Sequence, residues 1–541
     1  MRVWLYGLWK RRGLMSDLRE RMYSHYSVIY PLREETVRKK VMNCVFISAA
    51  VFILGGGFLL SFGGRDVSYL MFCLFILILL QRFVIYGIFS RDEEKLKEEL
   101  LEYLSHLTGS YASDKSLEEA VIKAVNEKHT KMATHGNMLN ELMDKNALSG
   151  EREEYLSRYV KSIATTHLAQ LYMVCEMTDK YGDTSMGSFS GFVTNINYIK
   201  ENVRGELLMM KKRKNEFAML GFISFLPFFL MRPMEMWARS VSDSLIPYYD
   251  GRIGIMGSAI VFVFTAVCFY LVQSFEYPSE FNVSKRAGER HLPKWLEILD
   301  EKFSRFMQRI IYGNYERSLK KARFIEEGTG KSLMEYYKSR LFSAVTGAFF
   351  AGIILSQASS GIWKGTLIIL AAGATFSFLP YASAIIKHNN FTERKKTEVL
   401  MLQTVILILT QIKQMSVEVL LKNMEDFSFC YKTMIEKASD LYMECGAKGL
   451  TDVALDKSER ELSHIFEGII SCDKVSVDKA FSDLKEERAY YAATLIEEKS
   501  HIMRNEAALS KMLSFLPFSV VVIIKLVVPF VMDGLSKIGT F

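Results

Sequence analysis

Three groups of residues have types and spacing that could do chemistry. The first is Gly328-Thr329-Gly330-Lys331-Ser332, which ends like a phosphate-binding loop of the form GxxxxGK[ST]. Such a loop cradles phosphates with backbone N–H groups between an apolar strand and a helix. Here the first glycine of the pattern would fall at Ile325, and Arg317 to Phe324 read as a charged helix with no strand before it. A helix-turn-helix joint is the expected structure.

The second group is the set of possible metal ligands and acid–base pairs. The nine histidines show no HExxH spacing, and His129 and His135 stand six apart in an expected loop. The seven cysteines are scattered without CxxC and read as small buried hydrophobes of a reducing compartment. Acid pairs such as Glu93-Glu94, Glu98-Glu99 and Glu118-Glu119 read as solvated helix faces. No catalytic, cofactor-binding or metal-binding residue emerges, and the expectation is a protein that is not an enzyme.

The third group is a single residue, Lys525, inside the apolar run 512–532. A charge at membrane depth is costly and marks a functional position by default. It stands about 10 Å of helix from the outer end of its run. It therefore either snorkels to the interface or makes a contact within the membrane, and both readings stay open. Arg82, near the end of its own run, snorkels.

The elements that carry these residues follow from composition. The chain has 541 residues, half of them hydrophobic and a quarter charged, with only nine prolines. Helix formers dominate the long polar stretches, so the fold class is all-α. Seven runs are apolar enough to be membrane helices, near 41–62, 67–89, 216–231, 253–275, 341–357, 366–386 and 512–532. Gly63-Gly64-Arg65-Asp66 closes the first two into a hairpin, and Ala358 to Gly365 does the same for the fifth and sixth.

The runs divide the chain into a basic amphipathic segment (1–40), a membrane hairpin (41–89) and a cytoplasmic helical domain (90–214). Membrane helices 3 and 4 (215–275) and a basic cytoplasmic linker (276–340) follow. A second hairpin (341–386), a second helical domain (387–511) and a last membrane helix with its tail (512–541) complete it. Lys and Arg crowd one side of this arrangement, with fourteen in the linker alone. The positive-inside rule makes that side cytoplasmic, with the N-terminus and both large domains on it.

One unit occurs twice. Ser224-Phe225-Leu226-Pro227-Phe228 returns as Ser514-Phe515-Leu516-Pro517-Phe518, each after a long charged helix and each opening a membrane run. Each unit holds three membrane runs, an odd number. The extra run 253–275 brings the chain back, so the two copies are parallel. Leu96, Leu100, Leu101, Leu104 and Leu107 form an apolar helical stripe in the first soluble region. Val399, Leu402, Val405, Ile406 and Leu409 form one in the second. Ser116 and Ser416, each with Glu two residues on, read as starts of a following helix. Pro227 and Pro517 predict a kink that packs the third helix, or a hinge; the kink is the favoured reading.

This layout, with Leu100 to Leu107, Ser116, Leu117 and Ala120, resembles the type II secretion F-domain family. These are the platform proteins of type II secretion, type IV pilus, Tad pilus and archaellum machines. Glu176 and Gly182 look like the family's later Glu…Gly turn, which has no clear counterpart in the second copy. Lys115 and Met415 stand where the family has glycine. The doubled unit looks like a fused pair of Tad platform subunits, and the archaellum platform is also similar.

The resemblance implies a non-enzymatic platform protein in the inner membrane that couples a hexameric secretion ATPase to assembly of pilin-like subunits. The lipid bilayer and a homo-oligomer complete the implied partners; nucleic acid is not among them and no cofactor is implied. A transporter or channel with large helical cytoplasmic domains is the alternative reading.

Overall fold

The structure is a computed structural model. It describes residues 16–31, 33–61, 67–125, 130–143, 166–183, 185–186, 189–276, 315–330, 332–356, 362–411, 415–454 and 460–538. The N-terminal amphipathic segment before Ser16, the Gly63–Asp66 turn, His129, Lys331 and most of the basic linker lie outside the described residues.

The first half runs α1 (Ser16–Ile29), α2 (Glu34–Ser61), α3 (Val67–Asp114), α4 (Leu117–Ala124), α5 (Thr130–Met143) and α6 (Thr166–Tyr181). A ribbon of two antiparallel two-residue strands, β1 (Ser185–Met186) and β2 (Phe189–Ser190), pairs Ser185 with Ser190. Then come α7 (Gly191–Glu216), α8 (Leu220–Val241), a short 3-10 turn, α9 (Ile246–Asp250) and α10 (Arg252–Glu276).

The second half runs α11 (Tyr315–Thr329), α12 (Leu333–Ser356), α13 (Ile362–Leu409), α14 (Val417–Phe427), α15 (Lys432–Cys445) and α16 (Ala447–Ala454). It ends with α17 (Arg460–Ser471), α18 (Val477–Ala480), α19 (Leu484–Val522), a π-helical turn (Ile523–Val527) and α20 (Val528–Ile538). Among the described residues the fold is all-helical apart from the ribbon.

The chain divides into two compact units. The described residues of the first fall within Met1–Cys44, Phe89–Lys212 and Thr392–His501. Its core is continuous: Leu100, Leu104 and Leu107 of α3 and Phe192 and Ile196 of α7 belong to one cluster with Val405 and Ile406 of α13, Leu420 of α14 and Phe466 of α17. The two soluble regions expected to be separate domains, 90–214 and 387–511, thus bury their leucine-rich stripes in a common core. Each stripe covers one helix face, and burying it removes about 1.5–3 kcal/mol of exposure cost per large side chain.

The second unit comprises Val45–Ile88, Arg213–Phe391 and Ile502–Phe541. Leu77, Met231, Phe262, Phe269, Phe376 and Val521 form its core. Ile53, Leu54, Phe342, Leu367, Leu370 and Leu535 remain on its surface, an apolar exterior that suits lipid. Among the described residues four helices are long and apolar enough to cross a bilayer: Glu34–Phe58, Ile253–Glu276, Ile369–Leu409 and Leu484–Leu535. The bent pair Gly191–Ser224 and Phe229–Val241 makes a fifth if it is one span. The chain is a membrane protein with about four candidate spans.

The expected joint at Gly328 to Ser332 is a helix-turn-helix. α11 precedes it where a phosphate loop would need a strand, Gly330 turns the chain at φ +62°, and Ser332 Oγ accepts the Glu335 N–H at 3.2 Å to start α12. The run near 216–231 differs from expectation. Phe217 to Met219 form a turn, with Met219 in the left-handed region at φ +65°, so α7 stops before the first SFLPF motif. α19 instead runs unbroken through the second motif to Val522.

Candidate functional site: a buried lysine in the last membrane helix

Lys525 does not snorkel. It is 1% exposed, within the π turn Ile523–Val527, and its Nζ donates to Ser258 Oγ of α10 at 2.6 Å. Glu235 of α8 lies 3.7 Å from the same nitrogen. Glu235 also pairs with Arg232 at 3.5 Å and Arg239 at 3.1 Å, and Arg239 reaches Asp250 of α9 at 2.7 Å. The Arg239 guanidinium and the Lys525 ammonium both lie over the Tyr249 ring, at 5.5 and 5.7 Å. Of the two open readings of Lys525, the structure selects the intramembrane contact.

Local sequence explains how the helices come close enough. Gly257 sits opposite Ile524, and a Cβ there would stand 2.6 Å from Ile524 Cγ2. Nearer the start of α8, Gly221 faces Phe83 so closely that a Cβ would be 2.4 Å from the ring. Small residues let membrane helices approach where lipid supplies no hydrophobic drive. Breaking a buried pair by removing one partner costs about 3–5 kcal/mol, because the other charge stays buried.

The motif residues lie at the helix contact. Ser514 is fully buried, and its hydroxyl donates to Ser510 O at 2.8 Å and lies 3.3 Å from Leu220 O of α8. Ser224, also buried, donates to Gly221 O at 2.8 Å. Pro227 and Pro517 are both buried; a bend of 40° separates Gly191–Ser224 from Phe229–Val241 around Pro227, in line with the kink reading, whereas α19 runs on through Pro517. Leu226 and Leu516 are half-buried and Phe515 is exposed; the Phe225 side chain lies outside the described residues. Arg213 bonds Glu506 at 3.0 Å and Lys511 bonds Glu216 at 3.1 Å, joining the same helices just before the motifs. Arg82 stacks between Tyr86 and Tyr270, at 5.5 and 5.6 Å.

The family-like positions of the first unit fall on caps and turns. Ser116 and Ser416 are N-caps, their hydroxyls accepting the Glu119 and Val419 N–H groups at 3.5 and 3.4 Å. Leu117 packs against the common core. Lys115 adopts φ +53°, the left-handed region that glycine favours. Gly182 closes α6 at φ +77°, and Glu176 holds Lys180 one turn earlier at 2.6 Å. Asp183 then accepts the Phe192 N–H at 2.9 Å near the start of α7.

Sequence reasoning missed three polar devices of this unit. Glu99, read as solvated, accepts the N–H groups of Lys131 and Met132 at 3.0 and 2.9 Å and caps α5. Glu398 holds the turn that leads into α15, accepting from Phe429, Cys430 and Tyr431 at 2.8, 2.7 and 3.1 Å. Glu99 precedes its Ser cap by 17 residues (116 − 99) and Glu398 by 18 (416 − 398), a spacing equal to within one residue and the available signal. Arg488, 3% exposed, links α19 to Thr404 of α13 and Asn202 of α7, both at 2.9 Å, and stacks 4.8 Å over Tyr198. Its charge in an expected exposed helix gave no warning of burial.

Electrostatics in this unit turn on buried groups. His135 lies inside α5, buried, where a loop was expected, and burial pushes its imidazole down to about 4. Burial likewise lowers His25 to about 4, against the pull of Asp92. Burial opposes the charge on Glu206, but His167 at 3.0 Å and Lys97 at 2.9 Å outweigh it and hold the carboxyl well below the usual range. Among the described residues no group of three or more His, Cys, Asp or Glu could hold a metal ion. No family model, curated protein or solved structure matches the chain.

Proposed function

We propose that this chain is a non-enzymatic inner-membrane platform of the type II secretion F-domain kind, built from two parallel copies of one unit. Each copy is a membrane hairpin, a cytoplasmic helical region and a closing membrane helix, giving seven crossings with the intervening helix. The observation that carries the reading is the matched order of devices in the two halves. A long helix leaves the hairpin and supplies a carboxylate, Glu99 or Glu398, to backbone N–H groups at the start of the third helix or in the turn just before it. A Ser-capped short helix lies between them, at Ser116 or Ser416. The closing helix carries SFLPF. Separate chance origins for so many matched features are implausible.

On this reading the cytoplasmic regions engage a hexameric secretion ATPase, and the membrane unit guides pilin-like subunits into a filament. The platform acts by position, not by chemistry. Deleting the gene in its native host tests this. Surface filaments or secretion should be lost while pilin-like subunits stay in the inner membrane, and restoration should follow expression of the full chain. Undiminished filament output and secretion in the deletion strain would contradict the reading.

A further inference from the structure

The last membrane helix buries one face around a single charge. Val521, Lys525 and Pro529 are buried, while Ile523, Val527 and Val531 are exposed. Apart from Lys525 both faces are equally apolar, and lipid tails solvate an aliphatic side chain as well as protein does. Close packing of Ile524 on Gly257 contributes to the setting, and the polar contacts at Lys525 add a directional constraint that apolar packing lacks.

Pro529 creates the means. Proline has no N–H, and its ring collides with the carbonyl four residues back. That carbonyl is Lys525 O, the α-helical acceptor for position 529, and Ile524 O would be the acceptor in π geometry. Neither can receive a bond from Pro529. The chain widens here into a π turn, in which the Val528 N–H donates to Ile523 O. The two carbonyls are served from outside the helix. Tyr248 Oη donates to Ile524 O at 3.1 Å, and Tyr249 Oη donates to Lys525 O. In a bilayer every such carbonyl needs a donor.

We propose that the two tyrosine hydroxyls and the Lys525 pair form a clasp that fixes the rotational setting of the last membrane helix, with Lys525 as the residue that specifies it. Lys525 is sealed and already engaged by Ser258 and Glu235, so its role is positioning and not ligand capture. A slip of one residue turns the helix by about 100°. It would carry the lysine away from Ser258 and the carbonyls away from both hydroxyls at once. The clasp operates whether or not the filament reading holds.

Crosslinking in the full chain, in membranes, tests it. Trp237 and Phe530 have ring centroids 6.4 Å apart and report the setting. With native cysteines replaced, Trp237→Cys is paired in turn with Phe530→Cys, Val531→Cys and Met532→Cys and treated with a short bis-maleimide. The 530 site should dominate in the parent. In a Glu235→Gln/Lys525→Met background, which removes the pair without stranding the lysine's partner as a charge, the preference for 530 over 531 should fall at least fivefold. A Tyr248→Phe/Tyr249→Phe background, with all charges kept, should shift the same ratio. A ratio within twofold of the parent in both backgrounds overturns the proposal. Failure of both variants to accumulate also overturns it, since the clasp is proposed to set orientation and not to permit folding.

Discussion

The hydroxyls of Tyr248 and Tyr249 should matter because of Pro529, and a double-mutant cycle isolates that dependence. Replacing both tyrosines by phenylalanine keeps the rings and strips the donors from Ile524 O and Lys525 O. A buried carbonyl left without a donor costs about 1–3 kcal/mol, and hydrogen bonds between membrane helices measure about 0.6–1.7 kcal/mol. About 1.5 kcal/mol per carbonyl is a fair working value on those scales, or about 3 kcal/mol for the pair. Pro529→Ala returns one N–H, which can serve one of the two carbonyls but not both. The same tyrosine replacements should then cost about 1.5 kcal/mol, half as much. The coupling of about 1.5 kcal/mol is about tenfold in the unfolding equilibrium. Detergent-titrated unfolding of the full chain in mixed micelles, for the four proteins of the cycle, measures it. Equal cost in the parent and in the Pro529→Ala background would refute the link between the proline, the π turn and the tyrosines.

Other perturbations have definite expected outcomes. His25 and His135, at about 4 when folded, compare with about 6.5 unfolded; the unfolded chain binds protons first. Their contribution is therefore complete above pH 6.5 and is lost as pH falls to about 4, by up to about 3 kcal/mol each. His135→Gln should flatten the pH dependence of the melting temperature across that window. Glu206, held low by its cations, should add a further loss below about pH 4. Glu398→Ala leaves three backbone donors without their carboxylate; at about 3 kcal/mol amide exchange at Phe429, Cys430 and Tyr431, in the turn before α15, should rise about a hundredfold, while α5 is unchanged. Lys331→Ala should leave the purified protein's behaviour towards ATP unaltered, and tight ATP binding abolished by that change would reverse the non-enzymatic reading.

What the sequence made legible was everything governed by local periodicity. The stripe from Leu96 to Leu107, the Ser116 and Ser416 caps and the greater part of each apolar run fall in or at the ends of the helices described. Contacts between distant residues left no periodic trace. Nothing in Arg488 says that Thr404 and Asn202 will enclose it, and nothing in the two soluble regions says that their stripes meet in one core. The break after α7 was invisible for a different reason. Asn215-Glu216-Phe217-Ala218-Met219 holds neither glycine nor proline, so no local preference announces the left-handed turn at the exposed Met219; it lies between Phe217 and Leu220, which are both buried in one cluster. Lys525 was legible as a flagged position, but its two readings could be separated only by Ser258 and Glu235, which lie 267 and 290 residues away (525 − 258 and 525 − 235).

The central claim is that two parallel copies present both helical regions to the cytoplasm. Labelling of single cysteines in intact cells with a membrane-impermeant maleimide tests it most directly. Ser244, in the turn between α8 and α9, and Ser113 and Ser482, one in each soluble region, are exposed positions suited to the purpose. The account predicts that Ser244→Cys is labelled from outside, while Ser113→Cys and Ser482→Cys react only after the membrane is permeabilised. Labelling of Ser482→Cys in intact cells, with Ser113→Cys protected, would place the two regions on opposite sides and contradict the parallel duplication.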